Sequence, residues 1–153
     1  MNESQRKYIE EVGMFLENQG MTRMAGRILG WLLIAEPPHQ SQQDLVDILQ
    51  ASKGSISTNT RMLLHSGMIK RVSLPGDRKT YFAIPDGLWI DIMRASLAEV
   101  THMKDLATHG LQIMADRPEQ SKRRLQEMFD LVNFLEQEFP AMVDRWEQQQ
   151  NKS

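Results

Sequence analysis

The 153-residue chain contains no cysteine. A disulfide scaffold, a thiolate-ligated zinc and a thiol nucleophile are thereby excluded, and a reducing compartment is the fitting environment. Long apolar runs are missing too. The longest, Trp31 to Ala35, is far short of the roughly 20 residues that cross a bilayer. Met1-Asn-Glu-Ser-Gln5 offers no basic start ahead of an apolar stretch, so no signal peptide is expected and a cytoplasmic protein is the default. Catalytic signatures are absent as well: no G-x-S-x-G, no H-E-x-x-H, no complete phosphate-binding glycine loop. Ser52-Lys-Gly-Ser55 has phosphate-loop residue types but lacks the earlier glycine and the preceding strand. No catalytic residue is assigned, and an enzyme is not expected. His102 and His109 lie two helical turns apart, about 10 Å along the axis, so with Asp105 they do not readily share one metal. No metal site and no cofactor are expected.

Acidic residues are also scarce in one place. Residues 51 to 85 hold Lys53, Arg61, Lys70, Arg71, Arg78 and Lys79 against Asp77 alone, a net +5. The other twelve basic and nineteen acidic residues give −7, so the net charge of −2 hides a basic block in an acidic frame. Hydrophobic residues at 41% and charged residues at 25% place the chain in the globular class, not the disordered one.

Apolar spacing predicts a first helix over residues 4–19, with Tyr8, Val12, Phe15 and Leu16 on one face and Gly20 as its stop. A second helix is expected over 22–35, with Met24, Ile28, Trp31, Leu32 and Ala35 buried. Gly26 and Gly30, one turn apart, suit the close approach of another helix, and Pro37-Pro38 end this one. Ser41-Gln-Gln-Asp44 has the form of a capping box at the start of a short third helix with Leu45, Ile48 and Leu49 as its core positions. Ser52 caps a fourth helix over about 53–66, ended by Gly67. Period-two character follows: strands over 68–74 and 80–84 flank the turn signal Pro75-Gly76. A long fifth helix is expected over about 87–115, with Asp86 at its start, and a sixth from Pro118.

The expected fold is mainly α with a small β-hairpin wing: a winged helix-turn-helix flanked by N- and C-terminal helices. The expected divisions are an N-terminal helix (1–20), a DNA-binding domain (21–86), a C-terminal helical region (87–149) and a disordered tail (150–153). In a helix-turn-helix the second helix enters the major groove, N-terminal residues at base edges. Here the corresponding face carries Ser55, Thr58, Asn59 and Arg61, with no acid in the whole helix. Exposed helix faces usually carry Glu and Lys, so small hydroxylated residues plus one arginine suggest selection for something besides helix stability. Arg61 suits guanine, Asn59 adenine, and Ser and Thr either. Lys53 with the helix N-terminus suits phosphate, Arg78 at the wing tip suits a narrow minor groove, and Lys70, Arg71 and Lys79 supply further phosphate charge.

Residues 41–85 resemble the winged-helix core of MarR-type transcription regulators, most clearly in Ser52-Lys-Gly-Ser-Ile-Ser57, Gly67-Met-Ile-Lys-Arg-Val72 and Pro75-Gly-Asp-Arg78. Met24-Ala-Gly-Arg-Ile-Leu-Gly30 resembles the branch named after the glycine betaine synthesis repressor, although Thr22 stands where that branch would have proline. The resemblance implies a homodimer built from terminal helices, double-stranded DNA with a roughly palindromic operator as partner, and a repressor answering to an effector it does not identify. It also implies that Asp77 orients the wing arginine.

Leu125, Met128, Val132, Leu135, Phe139, Met142 and Trp146 recur at alternating steps of three and four, a heptad seam interrupted by Pro140. It suits either packing against the fifth helix or self-association. Trp31, Trp89 and Met93 are either core or the lining of an effector pocket. The alternative to a DNA-binding regulator is a winged helix used as a protein-interaction module, which needs no basic wing.

Overall fold

A computed structural model describes residues 1–150; the last three residues of the expected disordered tail lie outside them. The element order is α1 (Glu3–Asn18), α2 (Arg23–Ile34), β1 (His39–Ser41), α3 (Gln42–Leu49), α4 (Lys53–His65), β2 (Lys70–Ser73), β3 (Thr80–Ala83), α5 (Leu88–Ile113) and α6 (Glu119–Gln150). The chain divides into two compact units, Met1–Leu88 and the residues from Trp89 onward. The N-terminal helix lies in the first unit, with the winged helix.

Asn2 caps α1, its side chain taking the Gln5 backbone N–H while the Gln5 side chain takes that of Asn2. At the other end Gly20 has φ 84°, and the Met21 N–H closes onto the Leu16 carbonyl at 3.0 Å. The buried face of α1 is Ile9, Gly13 and Leu16. Tyr8 and Phe15, expected inside, are 36% and 62% exposed. The reason is the contact with α2. A Cβ on Gly26 would lie 2.7 Å from Gly13 Cα and 2.8 Å from the Val12 carbonyl oxygen, and one on Gly30 would lie 3.0 Å from Val12 Cβ. Backbone meets backbone there, so α1 must present Gly13 and its neighbours Ile9 and Leu16, which turns Tyr8 and Phe15 outward. Across the rim of this contact Glu10 pairs with Arg23 (3.1 Å) and Arg27 (2.8 Å).

The core of the first unit gathers Ile28, Leu29 and Leu32 of α2 with Leu45 and Leu49 of α3, Ile56 and Leu63 of α4, and Phe82 of β3. The expected two-stranded hairpin is a three-stranded antiparallel sheet in the order β1-β3-β2, with Phe82 opposite Gln40 on one side and Arg71 on the other. β1 escapes a reading by composition because His39-Gln-Ser41 has no apolar or β-branched member. Only its pairing with β3 makes it a strand.

In the second unit α5 and α6 form a helical hairpin. Leu125 sits against Gly110, where a Cβ would come within 2.9 Å of Leu125 Cδ1. Ala107 and Val132 are buried. Lys104 Nζ reaches Glu136 at 2.6 Å and Asn133 at 2.9 Å, and Arg94 reaches Glu147 at 2.9 Å. The hydrogen bond from Lys104 holds the Glu136 carboxyl below its ordinary range. α6 runs through Pro140 as one helix. No helix among the described residues is long and apolar enough to cross a membrane.

Replacing Gly26 by Ala should gain helix propensity yet destabilise the first unit by about 1–3 kcal/mol, because the added carbon overlaps the α1 backbone. Urea unfolding of the variant would show it; unchanged stability would mean the two helices are not in backbone contact.

Candidate nucleic-acid interface

The local sequence builds a helix-turn-helix from its caps. Ser41 and Asp44 form the reciprocal capping box that starts α3, with Ser41 N–H to Asp44 Oδ2 at 2.8 Å. Gln50, at φ 50°, ends α3 in the left-handed conformation, and the Ala51 N–H returns to the Val46 carbonyl. Ser52 then starts α4 by accepting the Ser55 N–H at 3.1 Å. From α2, Arg27 Nη2 donates to the Leu49 carbonyl at 3.3 Å, satisfying an acceptor at the end of α3.

α4 has two unlike faces. Ile56, Asn59, Thr60 and Leu63 are buried. Lys53, Gly54, Thr58, Arg61 and His65 are exposed, with Ser55 and Met62 half-buried between them. Asn59 departs from its expected role as an adenine reader. It is 7% exposed, its amide nitrogen donates to the Ser55 carbonyl at 2.8 Å, and its Oδ1 accepts from the Thr22 hydroxyl. Both ends of the amide are engaged within the fold and the side chain is buried, so it is not presented to a base edge. Thr22 also takes the Ala25 N–H as the N-cap of α2. The position where a proline was expected thus carries a hydroxyl that caps one helix and holds another. A buried Asn at the edge of a polar face is indistinguishable by spacing from a groove-facing one; only a partner such as Thr22, distant in sequence, separates them.

The wing turns as Pro75-Gly76 demand: Gly76 has φ 80° and the Asp77 N–H bonds to the Leu74 carbonyl at 3.1 Å. Asp77 was expected to orient Arg78. Its carboxylate instead accepts the Lys79 backbone N–H at 2.8 Å and the Tyr81 hydroxyl at 2.6 Å. The Asp77 carboxylate folds onto the backbone two residues ahead, the turn that aspartate side chains favour, and so is turned to the Tyr81 hydroxyl rather than to Arg78. The Tyr81 hydroxyl and then the Lys79 amide hold the Asp77 carboxyl below its ordinary value of 3.8, and the same bond raises the Tyr81 phenol above 10.0.

Among the described residues, the side-chain cations of Lys53, Arg61, Arg71, Arg78 and Lys79 have no carboxylate oxygen within 4.0 Å. All five are exposed. Lys70 alone of the basic block is paired, with Asp86 at 3.1 Å. The arginines of α2 are treated differently: both Arg23 and Arg27 meet Glu10. Positive charge is neutralised on the flank of the unit and left bare on α4 and the wing. Bare, fixed cations with small hydroxylated neighbours suit a polyanion whose edges carry hydrogen-bonding groups.

The remaining candidate residues divide. Trp31 lines a cleft of the first unit and donates its indole N–H to Gln40 Oε1 at 3.2 Å. Trp89 and Met93 line an apolar cleft of the second unit together with Met142 and Trp146. Of the heptad seam, Leu125 and Val132 are used inside the α5–α6 hairpin, whereas Leu135, Met142 and Trp146 are 37%, 46% and 48% exposed. Sequence spacing missed a larger apolar exposure beside it: Leu106 (56%) and Ile113 (73%) on α5, and Leu131 (59%) and Phe134 (57%) on α6.

This arrangement is that of a winged helix-turn-helix with a DNA-binding face. Comparison with known proteins agrees. The MarR family matches residues 19–80, and MmpR5-like MarR family transcriptional regulators match residues 87–149. The HTH-type transcriptional regulator MmpR5 of Mycobacterium tuberculosis is 39% identical over 142 residues, which span 93% of this chain and 86% of that protein. A crystal structure of a transcriptional regulator, also 39% identical, superposes with a TM-score of 0.72 over 95% of this chain and 99% of its own. The chain belongs to the MarR family of winged-helix transcription regulators, which bind DNA and are not enzymes. The segment resembling the glycine betaine synthesis repressor branch lies within the general MarR match; the MmpR5-like match covers the second unit.

Two measurements check the sorting of these side chains. Asn59→Ala should cost about 1–3 kcal/mol of stability by stranding the Thr22 and Ser55 groups, whereas Thr58→Ala, one position away, should stay within about 0.5 kcal/mol. Equal effects would mean that Asn59 is not an internal anchor. The wing contact is set by two titrations. The Asp77 pKa is lowered, so the contact is full above 3.8 and is lost as pH falls through the depressed value; the Tyr81 pKa is raised, so it is full below 10.0 and is lost as pH rises through the elevated one. Ultraviolet or NMR titration of Tyr81 should therefore return toward 10.0 in Asp77→Asn.

Proposed function

We propose that the protein is a homodimeric repressor that occupies a pseudo-palindromic operator in the cytoplasm and releases it in response to an effector. Each protomer lays α4 in a major groove, with Ser55, Thr58 and Arg61 toward base edges and Lys53 on phosphate. The wing places Arg78 in the flanking minor groove, with Arg71 and Lys79 on the backbone beside it. The observation that carries this reading is the bare charge of α4 and the wing in a chain whose net charge is negative. Leaving like charges unpaired is unfavourable for the free protein and is repaid only when a polyanion supplies the countercharge.

The exposed apolar residues of α5 and α6 support self-association. Leu106, Ile113, Leu131 and Phe134 are an unusual load for a surface facing water. Leu135, Met142 and Trp146 of the heptad seam extend it. A second copy of the same helical hairpin would cover such residues and fix the distance between two recognition helices, which a palindrome requires. An effector would act by binding one arrangement of the dimer better than the other.

Salt dependence of DNA binding tests the proposal. Lys53, Arg61, Arg71, Arg78 and Lys79 in two protomers give up to about ten phosphate-like contacts, so the slope of log K against log salt should approach, and not exceed, about −9. Arg61 reading a base would make it shallower. Arg78→Ala should flatten the slope by up to about 2 units per dimer. A flat response in the native protein would instead favour a winged helix that binds another protein.

A further inference from the structure

The first unit carries a second feature of uncompensated charge, opposite in sign. Between the end of α2, β1 and α3 lies a cleft of about 580 Å³, within the size range of small-molecule sites. Trp31, His39 and Tyr81 supply aromatic lining, and Glu36, Asp44 and Asp47 supply carboxylates. No lysine or arginine lines it, and none of the three carboxylates has a cation within 4.0 Å. The lining is held in place from within. Gln40, 7% exposed, accepts the Trp31 indole N–H and donates to the Pro37 carbonyl at 2.9 Å, and the His39 ring meets Tyr81 edge-on at a centroid distance of 5.2 Å.

From this juxtaposition we propose that the cleft is an effector site for a small organic cation with an aromatic or alkyl body. The rings take the cation and its apolar body, and the carboxylates of Glu36 and Asp47 supply countercharge. One oxygen of Asp44 holds the Ser41 N–H and one of Asp47 accepts the Gln43 side-chain amide, so each offers its other oxygen to the cation. An anion is repelled by three carboxylates, and a neutral apolar molecule leaves them without a countercharge.

Tyr81 connects the cleft to DNA binding. Its ring lines the cleft while its hydroxyl donates to Asp77, the residue that shapes the wing through the Lys79 amide. A cation seated against the ring shifts Tyr81 and loosens that hydroxyl from Asp77. The wing then loses its fixed turn and DNA affinity falls. This coupling rests on the proposed DNA-binding face; binding of the cation does not.

The probe is benzyltrimethylammonium, with neopentylbenzene as its neutral isostere and benzoate as an anionic control, followed by tryptophan fluorescence and calorimetry. The native protein should bind the cation, and neither control to a comparable extent. Glu36→Gln with Asp47→Asn should weaken the cation at least about fivefold while leaving DNA affinity without probe unchanged, which also shows that the variant folds. No binding, equal binding of the isostere, or undiminished binding by the double variant overturns the site. At matched ionic strength the saturating probe should weaken operator binding by about fivefold or more, and DNA should weaken the probe by the same factor. Tyr81→Phe should keep the probe and lose this coupling. Coupling retained in Tyr81→Phe overturns the route through the wing and leaves the site standing. Failure of the native protein to bind DNA at all would overturn the proposed function, with probe binding still decided by the first arm.

Discussion

The molecule depends on α4 having one face that is fixed and one that is free. Ile56, Thr60 and Leu63 anchor it by burial, and Asn59 anchors it by a hydrogen bond to Thr22 at the start of α2. That bond ties the orientation of the helix to a neighbour that is itself locked by backbone contact with α1 at Gly13 and Gly26. The chain of constraint runs from glycine packing through the Thr22 cap to the exposed face of α4. Because the inner face is held so firmly, the outer face can forgo the ion pairs that ordinarily steady an exposed helix. A floppy helix with bare cations would lose, in ordering entropy, much of what it gains from phosphate.

The wing repeats this division on a smaller scale. Asp77 is committed to the Lys79 amide and the Tyr81 hydroxyl, which fixes the turn from inside. The charges of Arg78 and Lys79 are thereby left for an outside partner. In both places an uncharged or internally satisfied group sets geometry while a neighbouring cation stays exposed and unpaired.

Much of the fold was legible in the sequence because it is written in local chemistry. Ser41, Asp44 and Ser52 mark helix starts; Gly67 and Pro75-Gly76 mark a stop and a turn; Gly26 and Gly30 mark the close contact between helices. What escaped was decided by partners remote in the chain. β1 exists only through β3. Asn59 is internal only because Thr22 lies 37 residues away. Tyr8 and Phe15 face outward because glycine contacts, not the largest apolar side chains, choose which face of α1 is buried. The α6 heptads were visible, yet their spacing could not say that Leu125 would be used against Gly110 while Leu131 and Phe134 stayed exposed. Of the α4 positions expected to face DNA, Lys53, Thr58 and Arg61 are exposed, Ser55 is half-buried and Asn59 is internal; exposed polar residues in an acid-free helix need no distant partner to be where they are.

The central claim is that the outer face of α4 reads the major groove. Dimethyl sulfate protection of a bound operator addresses it directly, because the reagent reports guanine N7, an acceptor presented in the major groove. The account predicts two symmetric patches of protected guanines about one helical turn apart, with at least one guanine per patch losing protection in Arg61→Ala. Bound DNA whose guanine N7 atoms all stay reactive, or protection identical in the native protein and Arg61→Ala, would contradict it.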